Sequence, residues 1–160
     1  NGSYNVGIAT RASGLVVLDV DGLVGTASLA GLCTGRALPD TYTVKTRTEY
    51  GRHYYFRAPE GRLIKCSASR LGKGLDIRAE GGYVVAPPSW VDADHKGPAG
   101  SYSVLVDIPP ANLPDWLEKL LVQPPCSVSR QLHSLGYPEY GLALCCRVGS
   151  EVESHCTSSF

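Results

Sequence analysis

No stretch of this sequence approaches the roughly eighteen consecutive apolar residues that a membrane-spanning helix requires, so we expect no membrane association. The opening segment NGSYNVGIAT contains neither a basic part nor an apolar part, and it does not resemble a signal peptide. Methionine is absent from the whole chain, including its first position. From this we expect a fragment or an excised domain.

The sequence also lacks an excess of positive or negative charge. The 15 Lys and Arg residues balance 15 Asp and Glu residues, so the net charge indicates no nucleic-acid or membrane partner, although a local basic groove can exist in a neutral chain. Cysteine is scarce in the first 125 residues, where only Cys33 and Cys66 occur and neither has a near partner in the sequence. This usage predicts a reduced, cytoplasmic protein.

The length of 160 residues favours one domain, and the composition changes near residue 122. Beyond that point the chain has no sustained periodicity and is rich in Ser, Cys, Gly and Pro. We therefore predict a domain over 1–122 and a linker or disordered tail over 123–160. The tail holds zinc-type ligands without a Cys-x₂₋₄-Cys spacing, which favours a tail over a zinc site; these ligands are Cys126, His133, Cys145, Cys146, His155 and Cys156.

Short β-rich runs alternate with turn residues between Val6 and Leu121, which predicts an α/β fold. GLVVLDV is apolar on both faces, as in a central buried strand, and NVGIAT and SYSVLVDI are two further predicted strands. TYTVKTRT and RHYYFRA are expected to form a hairpin, and GLDIRA and YVVAPPS a second strand pair. Helices are predicted in GTASLAGLC and in NLPDWLEKLL, with Asn112 as the N-cap of the latter.

Two aspartates follow the central strand in the segment VVLDVDG, residues 16–22. Because residues i and i+2 of a strand share a face, Asp19 and Asp21 point the same way, on the order of 6–7 Å apart. Carboxylates this close repel each other unless a cation or a proton intervenes, and Mg²⁺ with substrate phosphates is a natural occupant. The alternative is that both aspartates cap a turn.

Three further residues extend this pair into a candidate site. Asp76 and Arg78 share one face of the predicted strand GLDIR, and His53 enters a strand after a glycine turn. Carboxylates, an imidazole and a guanidinium would together suit a metal-bound triphosphate. Taken singly, His53 is equally an ordinary strand-end histidine and Arg78 a surface ion-pair partner.

The order of these segments closely resembles the bifunctional primase–polymerase (prim-pol) domain of the archaeo-eukaryotic primase superfamily, over roughly residues 5 to 122. The matching motifs are the Asp19–Asp21 pair, GRH with His53, Leu75-Asp76 and the string GGYVVAPPS. The resemblance implies an α/β (α+β) catalytic domain with a mixed or antiparallel sheet related to the RNA-recognition motif and with flanking helices. It implies template-directed nucleotidyl transfer, as primer synthesis or DNA polymerisation, in replication of a bacterial, plasmid or phage genome.

The same resemblance implies a site and its ligands. Asp19, Asp21 and Asp76 would hold two catalytic Mg²⁺ or Mn²⁺ ions, and His53 would contact the phosphates of the incoming nucleoside triphosphate. Arg52 and Arg78 are expected phosphate partners, and Ser89 is expected near the site. Single-stranded DNA template and a replicative helicase domain or protein are the implied partners.

The sequence departs from the family pattern in three places. Sequence that usually precedes the first motif is missing, so we expect an N-terminally truncated domain. Arg11 stands where a glycine is expected, and RAEGGY replaces the usual RGDGGY at Ala79 and Glu80. None of these changes removes a proposed metal ligand.

Other functions remain open from the sequence. A haloacid-dehalogenase-type phosphotransferase also begins with D-x-D-G, with the first aspartate as nucleophile, but a hydroxyl residue after the glycine and a late acidic pair are missing. A D-x-D glycosyltransferase lacks a recognisable scaffold. A non-catalytic primase remnant that only binds nucleic acid or a helicase is the alternative from a different class.

A nucleic-acid groove is expected between the first and third motifs, where cationic residues cluster and tyrosines could stack on bases. Surface solvation is the alternative for each cation, and alternation places at least one of Tyr54 and Tyr55 in the core. The expected groove residues are Lys45, Arg47, Arg52, Arg57, Lys65, Arg70 and Lys73, with Tyr50, Tyr54 and Tyr55.

Overall fold

A computed structural model of the protein describes residues 4–95 and 97–122. The predicted tail over 123–160 and its zinc-type ligands lie outside the described residues, so the boundary between domain and tail stays a prediction. In the described part of the chain, neither helix is long and apolar enough to cross a membrane.

The described residues form short strands and two helices. In chain order they are β1 (Val6–Ala9), β2 (Leu15–Val20), α1 (Gly22–Leu32), β3 (Thr43–Lys45), β4 (Arg52–Arg57), β5 (Leu75–Arg78), β6 (Tyr83–Ala86), β7 (Trp90–Val91), β8 (Gly100–Ser101), β9 (Ser103–Val106), β10 (Ala111–Asn112) and α2 (Asp115–Leu121).

The main sheet has the order β5-β2-β4-β3-β9, and β10 pairs with β4 in parallel. The other pairs of this sheet are antiparallel, as are those of two small sheets, β1–β6 and β7–β8. Both the central position of β2 and the hairpin of β3 with β4 are confirmed. Antiparallel sheets combined with helices confirm the predicted α/β fold class.

The two faces of β2 enter two separate hydrophobic clusters. Val16, Leu18 and Val20 face a cluster that includes Leu117 and Leu121 of α2. Val17, on the opposite face, packs in a second cluster with residues of β3, β4 and β6. Since Asp19 follows Val17 by two residues, the strand carries its carboxylate to the side of the second cluster, away from α2.

The predicted pairing of GLDIRA with YVVAPPS is wrong. β5 pairs with β2 in the main sheet, whereas β6 pairs with β1 in a separate sheet. Thr10, just after β1, contacts the connection between β5 and β6: its hydroxyl shares one hydrogen between the carbonyl oxygens of Ala79 at 2.5 Å and Gly82 at 3.0 Å. These contacts accompany the pairing of β6 with β1.

The predicted N-cap of the second helix is also wrong. Asn112 lies in β10, where its side-chain oxygen accepts a hydrogen bond from Arg57 Nε at 3.0 Å, and Pro114 occupies the N-cap position of α2. Leu117 and Leu121 are buried as expected, whereas Leu120 is 37% exposed. The first helix begins at Gly22, earlier than predicted, and the predicted strand SYSVLVDI is divided into β8 and β9.

Candidate active site

Three candidate site residues lie side by side on neighbouring strands. In the register of the main sheet, Asp19 of β2 is directly opposite His53 of β4 on one side and Asp76 of β5 on the other. Directly paired residues in a sheet project from the same face. Regular strand pairing therefore brings together side chains that are far apart in the sequence.

Asp21 joins this row through the start of α1. It occupies the N-cap position of α1, but its carboxylate makes no capping hydrogen bond to that fully described helix. Its backbone N–H donates to the carbonyl oxygen of Gly74 at 2.8 Å, which ties it to the segment before β5. Gly22 has φ +60°, a conformation that suits glycine, so the chain can turn from β2 directly into α1.

The row opens into a cleft of about 600 Å³. This carboxylate cleft contains five of the predicted site residues, Asp19, Asp21, Asp76, His53 and Arg78. Its remaining lining residues are Gly22, Thr46, Arg47, Thr48 and Tyr102.

Charge pairing organises the centre of the cleft. Arg78 lies between two carboxylates, with Nη2 at 2.8 Å from Asp76 Oδ2 and Nε at 3.5 Å from Asp19 Oδ2. His53 Nε2 is 3.3 Å from Asp19 Oδ1. The other oxygen of Asp76 accepts a hydrogen bond from the backbone N–H of Ser69 at 2.9 Å. Asp19 is thus bounded by an imidazole and a guanidinium.

The surroundings of Asp21 disfavour the charged form of its carboxyl. Burial raises the pKa of Asp21 above the ordinary value, and Asp19 and Asp76 raise it further by repulsion. Arg78 and His53 oppose this rise without cancelling it. A cation near Asp21 would therefore favour the charged form of this carboxyl.

This charge and the oxygen donors fit a hard divalent cation, since Mg²⁺ and Mn²⁺ prefer carboxylate ligands. In the present arrangement, no group of three or more His, Cys, Asp or Glu side chains in the described residues forms a coordination site. Both oxygens of Asp76 accept a hydrogen bond, one from the Ser69 N–H and one from Arg78 Nη2. Asp19, Asp21 and Asp76 fit such an ion in charge and chemistry, and each oxygen of Asp76 keeps a lone pair beside the hydrogen bond that it accepts.

A second cleft of about 570 Å³ adjoins the first. It extends along β6, past Tyr83 and Val85, and along the turn at Gly81 and Gly82. The residues that line both clefts are Asp19, Arg47, His53, Arg78 and Tyr102.

Sequence reasoning missed two members of this shared wall. The ring of Tyr102 is 5.7 Å from that of His53, and the residue lies at the break between β8 and β9. Arg47 was expected only as one of several groove cations, although it lines both clefts. No local pattern could place either side chain, because both reach the site through long-range packing.

Two predicted site residues lie elsewhere. Arg52 precedes His53 in β4 and so points to the opposite face of the sheet, where its Nη1 donates to the carbonyl oxygens of Glu49 and Gly51 at 3.1 and 2.8 Å. Ser89 is 1% exposed, and its hydroxyl accepts a hydrogen bond from the Val6 N–H at 2.8 Å. Neither residue lines either cleft.

The residues of the expected nucleic-acid groove also lie in separate parts of the described structure. Arg47 alone of the seven cations lines the clefts, whereas Arg70 donates to the carbonyl oxygens of Leu120 and Leu121 at the end of α2. Tyr55 is 1% exposed, which confirms the expected core tyrosine. A continuous basic groove is therefore not formed by these residues.

Comparison with known families shows the class of protein. The family model of the N-terminal domain of bifunctional DNA primase/polymerases, Prim-Pol, matches residues 1–116. A comparison with curated proteins found no match. The chain belongs to the Prim-Pol family, as its motifs suggested. This membership supports a role in primase and polymerase nucleotidyl transfer, with DNA and nucleotides as substrates and divalent metals as the usual cofactors of the family.

Proposed function

We propose that this domain performs template-directed nucleotidyl transfer at the carboxylate cleft, by a mechanism with two divalent ions. A 3′ hydroxyl would attack the α-phosphate of a nucleoside triphosphate, so that a phosphodiester bond forms and pyrophosphate leaves. The observation that carries the proposal is the row of Asp76, Asp19 and His53 across β5, β2 and β4, with Asp21 and Arg78 in the same cleft.

Asp19, Asp21 and Asp76 would hold Mg²⁺ or Mn²⁺, since their repulsion is otherwise only partly balanced by Arg78 and His53. Such ions lower the pKa of the attacking hydroxyl and stabilise the leaving oxygen.

The protein's own cations would bind the substrate phosphates. Arg78 lies within reach of Asp19 and Asp76, so a guanidinium freed from these carboxylates could donate two parallel hydrogen bonds to phosphate oxygens. His53 is 4% exposed and contacts Asp19, which fixes the ring. Its protonated Nε2 can donate to a phosphate oxygen or to Asp19.

We place this activity in DNA replication, on single-stranded DNA template and with primer synthesis, strand extension or both as the outcome. A helicase domain or protein is the partner that the family resemblance suggests. The cytoplasmic setting predicted from cysteine usage stays a prediction.

A non-catalytic role is the second candidate, and one observation favours it. Asp76 is bonded through both oxygens, one of them to Arg78. A remnant that only binds nucleic acid would keep Arg78 between the aspartates permanently. Family membership leaves the dehalogenase alternative without support.

Primer synthesis distinguishes these two functions. The full chain is incubated with single-stranded DNA, labelled nucleotides and Mn²⁺, and is compared with an Asp19→Ala/Asp21→Ala double variant. We expect labelled product from the wild type and a loss of at least about a hundredfold in the variant, the usual effect of removing charge stabilisation from a transition state. Equal background from both proteins, each with normal affinity for the DNA, would establish the non-catalytic role instead.

A further inference from the structure

Arg47 is a buried cation at the junction of the two clefts. Its side chain is 9% exposed, although it lies in the connection between β3 and β4. Arginine is seldom this buried without specific partners. The residue contributes to the lining of both clefts, together with Arg78 and His53.

Two neighbouring segments hold Arg47 in place, one at its guanidinium and one at its backbone. Nη2 donates to Asp94 Oδ1 at 2.6 Å, and Nη1 donates to the carbonyl oxygen of Asp92 at 2.9 Å. Gly100 of β8 packs so closely that an added Cβ would lie 2.6 Å from the Arg47 carbonyl oxygen. A side chain fixed in this way loses little conformational entropy when it binds a ligand.

The charge of Arg47 acts on the same part of the cleft as the aspartates. Burial and Asp19 raise the pKa of Tyr102, Arg47 lowers it, and Asp21 adds a smaller rise. The Tyr102 hydroxyl thus lies within the electrostatic reach of Arg47 and of two candidate metal ligands. A nucleotide bound at those aspartates would extend its other phosphates toward a positive group of this kind.

We propose that Arg47 is a phosphate-binding residue of the cleft, and that Asp94 is its positioning residue. A guanidinium carries five N–H donors, and two of them are used by Asp92 and Asp94. The ligand is a phosphate group, supplied either by the triphosphate of the incoming nucleotide or by a phosphodiester of the DNA strand. The inference rests on the proposed function, because that function determines which phosphates enter the cleft.

Direct binding of phosphate compounds tests this role without requiring activity. Inorganic tripolyphosphate and a single-stranded oligonucleotide without a terminal triphosphate are titrated separately into the full chain in EDTA, by calorimetry and by fluorescence anisotropy. Arg47→Gln removes the charge, and Arg47→Lys keeps the charge but not the planar fork. Arg62→Gln is the matched control, since Arg62 also pairs with a carboxylate, Glu118 at 3.5 Å, but lies outside both clefts.

We expect Arg47→Gln to weaken the binding of one of the two compounds by about tenfold, Arg47→Lys to weaken it less, and Arg62→Gln to leave it unchanged. Loss of tripolyphosphate binding identifies the triphosphate as the source, and loss of oligonucleotide binding identifies the phosphodiester. Thermal unfolding shows whether each variant is folded. If Arg47→Gln does not fold, weaker binding of the same compound by Arg47→Lys than by the wild type supports the proposal, and unchanged binding contradicts it.

Wild-type affinities in the folded Arg47 variants, or no binding of either compound by the wild type, would overturn the proposal. A purely structural Arg47 would lower the unfolding temperature and leave both affinities unchanged. The proposed function fails separately, because a protein that synthesises no primer can still show phosphate binding that depends on Arg47.

Discussion

Asp21→Asn is expected to reduce nucleotide incorporation by roughly 10²–10³-fold, while the folded domain becomes more stable at neutral pH. The two effects have one cause. Burial, Asp19 and Asp76 raise the pKa of Asp21, so its negative charge is less favourable in the folded chain than in the unfolded chain. A neutral amide removes this repulsion together with a ligand for the divalent ion.

The sign of the pH dependence follows from the raised pKa. As the pH rises above 3.8, the ordinary pKa of this carboxyl, and passes through the higher folded-state pKa, the wild type loses stability. Asparagine does not titrate, so the advantage of Asp21→Asn should be absent at pH 3 and should reach its full value above the folded-state pKa. Urea unfolding of both proteins across this range, followed by circular dichroism, measures the difference.

The effect of divalent ions on the unfolding temperature is a second test of the role of Asp21. Mg²⁺ or Mn²⁺ that binds only the folded wild type should raise its unfolding temperature, and the rise should be smaller in Asp21→Asn. A variant that is less stable than the wild type at pH 7, or equally stabilised by the ions, would contradict a role for Asp21 as an unbalanced metal ligand.

Gly25→Ala is expected to destabilise the domain by about 3 kcal/mol, at the upper end of the usual cost of overpacking. An added Cβ at Gly25 would lie 2.5 Å from the carbonyl oxygen of Gly74 and 3.1 Å from Val20 Cγ1. The first of these neighbours is backbone, so no side-chain rotation can relieve the clash. Gly74 O also accepts the hydrogen bond from Asp21 N–H, and nucleotide incorporation should fall as this contact shifts.

Gly31→Ala in the same helix is the control for this substitution. Apart from its chain neighbours and the backbone of its own helix, an added Cβ at Gly31 would meet no described atom within 4 Å, so the variant should gain about 0.5–1 kcal/mol from lower unfolded-state entropy. Denaturant midpoints measured by circular dichroism compare the two variants. Equal midpoints for Gly25→Ala and Gly31→Ala would show that the contact between α1 and the segment before β5 does not constrain the site.

The central residues of the cleft were predicted from their motifs and from the family resemblance. Alternation explains why Asp19 and Asp21 point to one side, whereas the strand pairs that bring His53 and Asp76 beside Asp19 were not among the predicted pairs. Their roles as metal ligands and phosphate contacts stay predictions. The same alternation could have excluded Arg52, since adjacent residues in a strand face opposite sides.

Features that depend on long-range contacts could not be predicted. β6 pairs with β1, which lies far from it in the sequence, and hydrogen bonds from Thr10 to Ala79 and Gly82 accompany this pairing. Arg47 lines the cleft while its guanidinium bonds Asp94 and its backbone packs on Gly100 of β8, and both of these partners are distant in the sequence. No local periodicity encodes either arrangement.

Asp76, Asp19 and His53 are directly paired across three neighbouring strands, and this register restricts insertions and deletions in those strands. Deleting or inserting a single codon within β2, β4 or β5 would reverse the facing of every later side chain in that strand, and so would move one of the three residues to the far side of the sheet. Connections such as 58–63 lie outside these ladders and could gain or lose residues without this effect. Length variation among functional descendants of this chain should therefore be confined to its loops.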